Sequence, residues 1–421
     1  MWMRVRGGRP GGAGPLAFRA TPMIRQTPFH SRTSEADQTG LWSHWAGYLA
    51  ADRYQMSDKF EYYAIRNSAG VFDTSPLFKH RISGGDAERF LAGVLTRDIR
   101  RCRPGEAQYT VWCDDDGWVI EDGVVLRLAD DEYLLTSAKS NLAYLDGLTS
   151  GMSVRVEDVS DDLGALAVQG PYSRDVLAAL MPEVEELEYF GLVTAEVDDI
   201  PATVSRTGYT GDLGYEIWVA AEHAERLWDR LFEVALPRGV IPVGQDAILI
   251  SRIEAGLLLI DVDFHVARFA WNEDQRATPL ELNMGWMLRG LESDDRAFIG
   301  RRAITREIEE RTSRWRTVGL MVDWADWARV HGERGLITPK DHTPTYGGMM
   351  IYDRDSEQVG YVSSFVYSPI IQRHIGIARV RPGHAEPGTR VGVEIAIDHR
   401  YDVVASQVTR LPFYSPPRKT G

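Results

Sequence analysis

Apolar and polar residues follow two different periods along this chain. Between residues 222 and 235 the apolar side chains recur on one helical face, at Ala224, Leu227, Leu231 and Val234. From Trp315 to Tyr414, apolar and polar residues instead alternate through many short runs that Gly and Pro divide. Such alternation is typical of an all-β barrel or jelly roll. The pattern therefore predicts a mixed domain over residues 35–312, followed by a β domain over residues 313–416.

A glycine-rich segment lies between two β-favouring runs in the mixed domain. It spans residues 204–219 and contains Gly208, Gly211 and Gly214. Glycine allows positive φ and close approach of the backbone to a ligand, so three glycines in seven residues indicate a tight hairpin. This pattern alone leaves two interpretations open, an ordinary surface turn and a hairpin shaped to contact a ligand.

Two adjacent carboxylates interrupt the apolar strand of a second predicted hairpin. A strand that begins near Gly105 is followed by an Asp-rich turn that ends at Gly117, and Glu121 and Asp122 lie in the returning strand. Successive strand residues point to opposite faces, so one of the pair would face the interior. A carboxylate buried there would have a raised pKa unless it were hydrogen-bonded or paired. The alternative is that both lie at an exposed edge of the strand.

The first 34 residues differ from the rest in composition. They contain six arginines and no acidic residue, and Gly and Pro dominate residues 7–15. We expect residues 1–34 to be a disordered extension, and Met23 is a candidate for the true initiator. The chain of 421 residues is long enough for two or three domains.

Charge and residue usage exclude several classes of function. A net charge of -14 argues against nucleic acid or an anionic membrane as the main partner. No apolar run approaches the roughly 20 residues that span a bilayer. Only two cysteines are present, which favours a cytoplasmic location. The ten histidines form no HxxxH or HExxH pair, so we expect no metal site.

The glycine hairpin carries a resemblance to a known family. Residues 206–216 read Arg-Thr-Gly-Tyr-Thr-Gly-Asp-Leu-Gly-Tyr-Glu, which resembles the RTGYTGE-x-G-[FY]-E motif of the glycine-cleavage T-protein (aminomethyltransferase) superfamily. The resemblance covers roughly residues 55 to 414, where at least seven motifs of the family occur in the correct order. Among them are residues 70–75, 164–171, 278–286, 298–303 and 359–369.

The resemblance implies an α+β fold with two interleaved antiparallel α+β subdomains and a C-terminal β-barrel or jelly-roll domain. It also implies that tetrahydrofolate lies in a central channel. In that channel Glu216 would accept the donor pair of the pterin, and Tyr109 and Tyr209 would contact the cofactor. Asp122 would lie beside the reacting folate nitrogen as the catalytic carboxylate. Whether Glu121 shares that role stays open.

Two of these assignments have a structural alternative. Tyr109 is equally well explained as a packed tyrosine of the hairpin. Arg252 could pair with folate carboxylates, but it could also form an internal ion pair with Glu254 or Asp246.

The sequence also departs from the family pattern. Pro76-Leu77 stand where the T-protein has His-Met, and Ile248-Leu249 replace its Arg-Asp pair. We therefore expect a tetrahydrofolate-dependent methyl- or aminomethyltransferase that acts on a small methylated donor. The glycine-cleavage T-protein itself, with its lipoyl carrier protein, is the less favoured alternative. A non-enzymatic folate-binding assembly protein is disfavoured, because that group carries K-G-C-Y-x-G-Q and this chain lacks the cysteine.

Overall fold

The computed structural model describes residues 24–293 and 295–421. The helices of the described residues are α1 His30–Ala36, α2 Asp58–Asn67, α3 Ala87–Val94, α4 Leu142–Gly147, α5 Ser173–Ala178, α6 Ala224–Ala235, α7 Gln245–Glu254, α8 Arg301–Glu310 and α9 Trp324–Glu333. The strands before the last domain are β1 Trp42–Trp45, β2 Tyr48–Ala51, β3 Gly70–Asp73, β4 Phe78–Ser83, β5 Glu106–Cys113, β6 Val119–Arg127, β7 Glu132–Ser137, β8 Arg155–Asp158, β9 Leu163–Gln169, β10 Leu192–Val197, β11 Ile200–Ser205, β12 Gly214–Ala220 and β13 Ile241–Pro242. Those of the last domain are β14 Arg316–Val322, β15 Thr345–Tyr352, β16 Gln358–Ser368, β17 Arg373–Val380, β18 Arg390–Ile397 and β19 Arg400–Thr409.

Two sheets are interleaved in the first part of the chain. The six-stranded sheet has the order β10-β11-β12-β9-β3-β13, and the five-stranded sheet has the order β5-β6-β7-β4-β8. The chain leaves the first sheet after β3, builds the whole second sheet and returns to the first at β9. All pairings are antiparallel except that of β13 with β3. The predicted pair of interleaved antiparallel α+β subdomains is confirmed.

The last domain is a closed barrel. Its strands follow the order β14-β17-β16-β15-β18-β19 and return to β14 through the pairing of β14 with β19. Alternate residues point inward and form the barrel core, among them Leu320, Ile351, Val362, Val380, Val393 and Val404. The alternating pattern of the sequence has this physical origin, and closure leaves no free sheet edge.

The prediction that residues 1–34 are disordered is wrong for residues 24–34. Phe29 is fully buried and its ring lies 6.3 Å from that of Trp228. The Thr27 hydroxyl donates to the Asp73 carboxylate at 2.6 Å, and Arg25 pairs with Asp161 at 2.9 Å. These side chains dock on folded elements far along the chain, which composition cannot reveal. Residues 1–23, including the candidate initiator Met23, lie outside the described residues.

A buried carboxylate joins the subdomains to the barrel. Glu254, at the end of α7, accepts hydrogen bonds from the Tyr62 hydroxyl at 2.6 Å and from the Ser368 hydroxyl at 2.5 Å. It also pairs with Arg66 at 2.6 Å. Tyr62 and Arg66 belong to α2, Glu254 to α7 and Ser368 to β16, so the network holds the barrel against the helices beside the six-stranded sheet. In the described residues, no helix has both the length and the apolar character needed to cross a bilayer.

Candidate active site

Three side chains on neighbouring strands of the six-stranded sheet form a row that includes the candidate folate-binding residue Glu216. Phe72 of β3 is opposite Ala167 of β9, and Ala167 is opposite Glu216 of β12. Residues opposite each other in antiparallel strands share a face, so these three side chains point to the same side. Phe72 lines a large cavity on that side. Glu216 therefore faces the side of the sheet on which this cavity lies.

The glycine hairpin is shaped around a buried amide. A Cβ atom on Gly208 would lie 2.0 Å from the Gln169 amide oxygen, and one on Gly214 would lie 2.4 Å from it. The Gln169 amide is held in place, because its nitrogen donates to the carbonyls of Thr207 and Tyr215, both at 3.2 Å. The two glycines thus allow the hairpin to close over Gln169.

Glu216 is a half-buried carboxylate with an incomplete set of partners. The Thr207 hydroxyl donates to its Oε2 atom. Within the described residues no donor reaches Oε1 and no basic side chain pairs with the carboxylate. Burial raises the pKa of Glu216, and the hydrogen bond from Thr207 opposes that rise. The free oxygen can accept a further hydrogen bond from a ligand.

Tyr109 and Asp122 form a hydrogen-bonded pair on the five-stranded sheet. The Tyr109 hydroxyl donates to Oδ2 of Asp122 at 2.8 Å. Burial raises the pKa of Asp122, and this hydrogen bond lowers it again in part. The tyrosine that could have been a mere packing residue of the hairpin is thus in direct contact with the candidate catalytic carboxylate.

Glu121 is buried on the opposite face of β6, where it is 1% exposed. Its oxygens accept hydrogen bonds from the backbone N–H groups of Asp122 at 3.2 Å and of Lys139 at 3.1 Å. Burial raises the pKa of Glu121, and the neighbouring charge of Asp122 raises it further. The interpretation that both carboxylates lie at an exposed edge is wrong, because both faces of the strand are covered.

Tyr209 lies at the tip of the glycine hairpin and lines the cavity. Its hydroxyl donates to the carbonyl of Leu258 at 2.5 Å. Burial raises the pKa of Tyr209, and the Asp122 charge adds to this effect while Arg252 opposes it. Asp122 and Tyr209 are therefore near neighbours, and the structure brings Tyr109, Asp122 and Tyr209 together.

The cavity has a volume of about 720 Å³ and is mainly aromatic and aliphatic. Its wall includes Trp45, Phe72, Phe78 and Tyr209, with Ile248, Leu249 and Ile260. Sequence reasoning assigned no role to Trp45, Phe72 or Phe78. The aromatic residues at positions 42–48 belong to no recognised motif, and Phe72 lies in the family motif at residues 70–75, which gives it no assigned role.

Arg252 forms an internal ion pair, but not with either of the partners that the sequence suggested. It is fully buried and pairs with Asp263 at 2.5 Å, while a second nitrogen donates to the Ser364 hydroxyl at 2.7 Å. The two partners suggested for it are engaged elsewhere, Glu254 with Arg66 and Asp246 with Arg53. An internal ion pair is therefore correct, but the partner is Asp263. Such a buried guanidinium is a support of the structure and not a free cation for a ligand.

Across residues 24–293 and 295–421, no group of three or more His, Cys, Asp or Glu side chains converges in a way that could hold a metal ion.

Comparisons with known proteins agree with this architecture. The family model described as the GCVT N-terminal domain matches residues 30–290, and the glycine cleavage T-protein C-terminal barrel domain matches residues 334–415. An aminomethyltransferase of Streptomyces coelicolor is 34% identical over 365 residues, which cover 85% of this chain and 90% of that protein. The chain belongs to the glycine cleavage T-protein family, a family of aminomethyltransferases.

Two further comparisons extend this result. The crystal structure of the glycine cleavage system aminomethyltransferase T from Bartonella henselae superimposes with a TM-score of 0.78 at 23% identity, covering 93% of this chain and 98% of that one. It confirms the fold. A trimethylamine-oxide aldolase of Ruegeria pomeroyi is 31% identical over 424 residues, which cover 96% of this chain but only 49% of that protein.

Proposed function

We propose that this protein is a tetrahydrofolate-dependent one-carbon transferase that acts on a small methylated donor. The observation that carries the proposal is the cavity wall at Ile248 and Leu249. These are the two positions at which the sequence departs from the Arg-Asp pair of the resembled T-protein motif. An apolar wall at these positions offers no ion pair to a carrier protein, and it can pack against the methyl groups of a small donor.

The residues of the site fit tetrahydrofolate. A pterin presents an N–H and an NH₂ group side by side, and the Glu216 carboxylate has one oxygen that accepts no hydrogen bond from the described residues. When bound, tetrahydrofolate supplies the nitrogen N5 that accepts the one-carbon unit. Asp122, held by Tyr109, would accept the proton that this nitrogen loses. Its charge would also stabilise a cationic donor.

A second departure from the family motif lies in the segment that joins two residues of the cavity wall. Pro76 and Leu77 belong to the crossover between β3 and β4, and they are flanked by the cavity residues Phe72 and Phe78. The similarity to a trimethylamine-oxide aldolase extends over nearly the whole of this chain. The name of that enzyme refers to a small methylated compound, which supports the same class of donor here.

The experiment is a screen of the purified chain with tetrahydrofolate against methylated glycines, methyl-sulfonium compounds and methoxy-aromatics. Mass spectrometry of the folate product reports any added carbon unit. We expect one class of donor to modify the folate. Absence of folate modification with every class would contradict the proposal.

The glycine-cleavage T-protein is a second candidate, favoured by the match to an aminomethyltransferase over 90% of its length. A T-protein would exchange label between glycine and bicarbonate when mixed with the other cleavage components. We expect no such exchange here.

A further inference from the structure

The wall of the cavity contains several aromatic side chains, an arrangement that suits a cationic ligand. The rings of Trp45 and Phe72 stack with centroids 5.7 Å apart and planes 21° from parallel. Phe78 and Tyr209 line the same cavity. Aromatic faces of this kind attract cations, and quaternary ammonium groups are commonly bound by several aromatic side chains together.

The charges around the cavity favour a cation over a neutral aromatic ligand. Two basic side chains line it, but Arg25 is paired with Asp161 and Lys139 with Asp261. The backbone of Lys139 also contacts Glu121, which places the Glu121–Asp122 pair behind this wall. Among the described residues, no basic side chain forms an ion pair with either of these two carboxyl groups. The Asp122 carboxylate, whose charge acts on the cavity residue Tyr209, is therefore a negative charge that no basic side chain of the described residues balances.

We propose that Trp45, Phe72 and Phe78 form a subsite for a methylated onium cation, a quaternary ammonium or a sulfonium. The inference rests on the proposed function only for the fate of the methyl group. Among the donor classes of the screen, the subsite favours those that carry a quaternary ammonium or sulfonium group.

Methyl transfer from an onium donor to tetrahydrofolate needs no oxidant. The bond from the methyl carbon to nitrogen or sulfur breaks, and its electron pair stays on the heteroatom, so a neutral amine or sulfide leaves. The methyl carbon bonds to folate N5, and the proton that N5 loses passes to Asp122. A carboxylate beside the site is thus useful twice, as counter-charge to the donor and as acceptor of the proton.

The test measures binding without tetrahydrofolate. Choline and its uncharged carbon isostere 3,3-dimethylbutanol have nearly the same shape, and each is titrated against the full chain by calorimetry. We expect choline to bind about tenfold more tightly, because cation–π contacts discriminate by charge. Equal binding of the two probes, or no binding of choline, would overturn the proposal.

Variants test whether the aromatic side chains of the cavity wall bind choline. Trp45→Leu and Phe78→Leu should each weaken choline binding about tenfold and leave the isostere nearly unaffected. Trp271→Leu is the matched control, since Trp271 is 94% exposed and does not line the cavity. Circular dichroism checks that each variant is folded. If Trp45→Leu and Phe78→Leu bind choline with the same affinity as the control variant, the proposed subsite is wrong.

The two proposals can fail separately. Choline binding that depends on Trp45, without any methyl transfer to tetrahydrofolate, would count against the proposed function alone. Transfer from a neutral methoxy-aromatic, without discrimination for choline, would count against the onium subsite alone.

Discussion

The hydroxyl of Tyr109 donates a hydrogen bond of 2.8 Å to the carboxylate of Asp122. This bond favours the ionised form of a group whose burial favours the protonated form. A carboxylate that must accept a proton has to be ionised beforehand. The tyrosine therefore keeps Asp122 in its working state at a lower pH than burial alone would allow.

Replacing Tyr109 should move the pH dependence of the reaction. In Tyr109→Phe the pKa of Asp122 rises, so the acidic limb of the rate profile shifts to higher pH. At a pH on that limb we expect about a tenfold loss of one-carbon transfer, as for one lost hydrogen bond to a charged group. The loss should shrink as the pH rises. A uniform loss at every pH would contradict this role and indicate a packing defect instead.

The two neighbouring carboxyl groups should respond differently to removal of their charge. Asp122→Asn should abolish transfer to tetrahydrofolate, because no proton acceptor remains. Glu121→Gln should retain transfer, since the Glu121 oxygens are occupied by backbone N–H groups on the other face of the strand.

The pH profile of the Glu121 variant provides the sharper comparison. The pKa of both groups is raised by burial, and the charge of Asp122 raises that of Glu121 further. Asp122 ionises first, so Glu121→Gln should leave the acidic limb in place. Full activity of Asp122→Asn would contradict the assignment of the acceptor.

Glu216 should determine affinity for the folate and not the rate of the chemical step. Glu216→Gln replaces a charged acceptor with a neutral amide, and we expect tetrahydrofolate to bind about 10- to 100-fold more weakly. A fluorescence titration measures the dissociation constant. Glu196→Gln is the control, because Glu196 is an exposed carboxylate of β10 in the same sheet. Equal affinity of the two variants would contradict the role of Glu216.

Removing the charge of Arg252 should affect stability. Arg252→Met leaves the Asp263 carboxylate buried without its partner, which should cost about 3–5 kcal/mol in the free energy of unfolding. The folded fraction should bind tetrahydrofolate with unchanged affinity. Arg252→Met combined with Asp263→Leu should regain part of the stability, because both buried charges are then absent. Weaker folate binding with unchanged stability would restore Arg252 as a ligand-binding residue.

The sequence was most informative where a local pattern implies a local shape. The glycine hairpin before Glu216 and the strand that carries Asp122 both follow from residue types at short spacing, and the structure has both hairpins as expected. The barrel follows from alternation, because inward and outward positions of a strand have different surroundings.

The sequence was uninformative where a side chain meets a distant partner. Phe29 becomes buried only because it reaches Trp228, and Trp45 gains its place in the cavity only by stacking on Phe72. The pairing of Arg252 with Asp263 depends on how the chain turns after α7. None of these contacts has a periodic or motif signal.

The most direct test of the account compares two donors on the same enzyme preparation. The value of kcat/KM for transfer to tetrahydrofolate is measured with the best methylated onium donor and with aminomethyl-lipoyl carrier protein. We expect the small onium donor to be preferred, and we expect Ile248→Arg to reduce this preference. Efficient transfer from the carrier protein together with none from any small donor would contradict it.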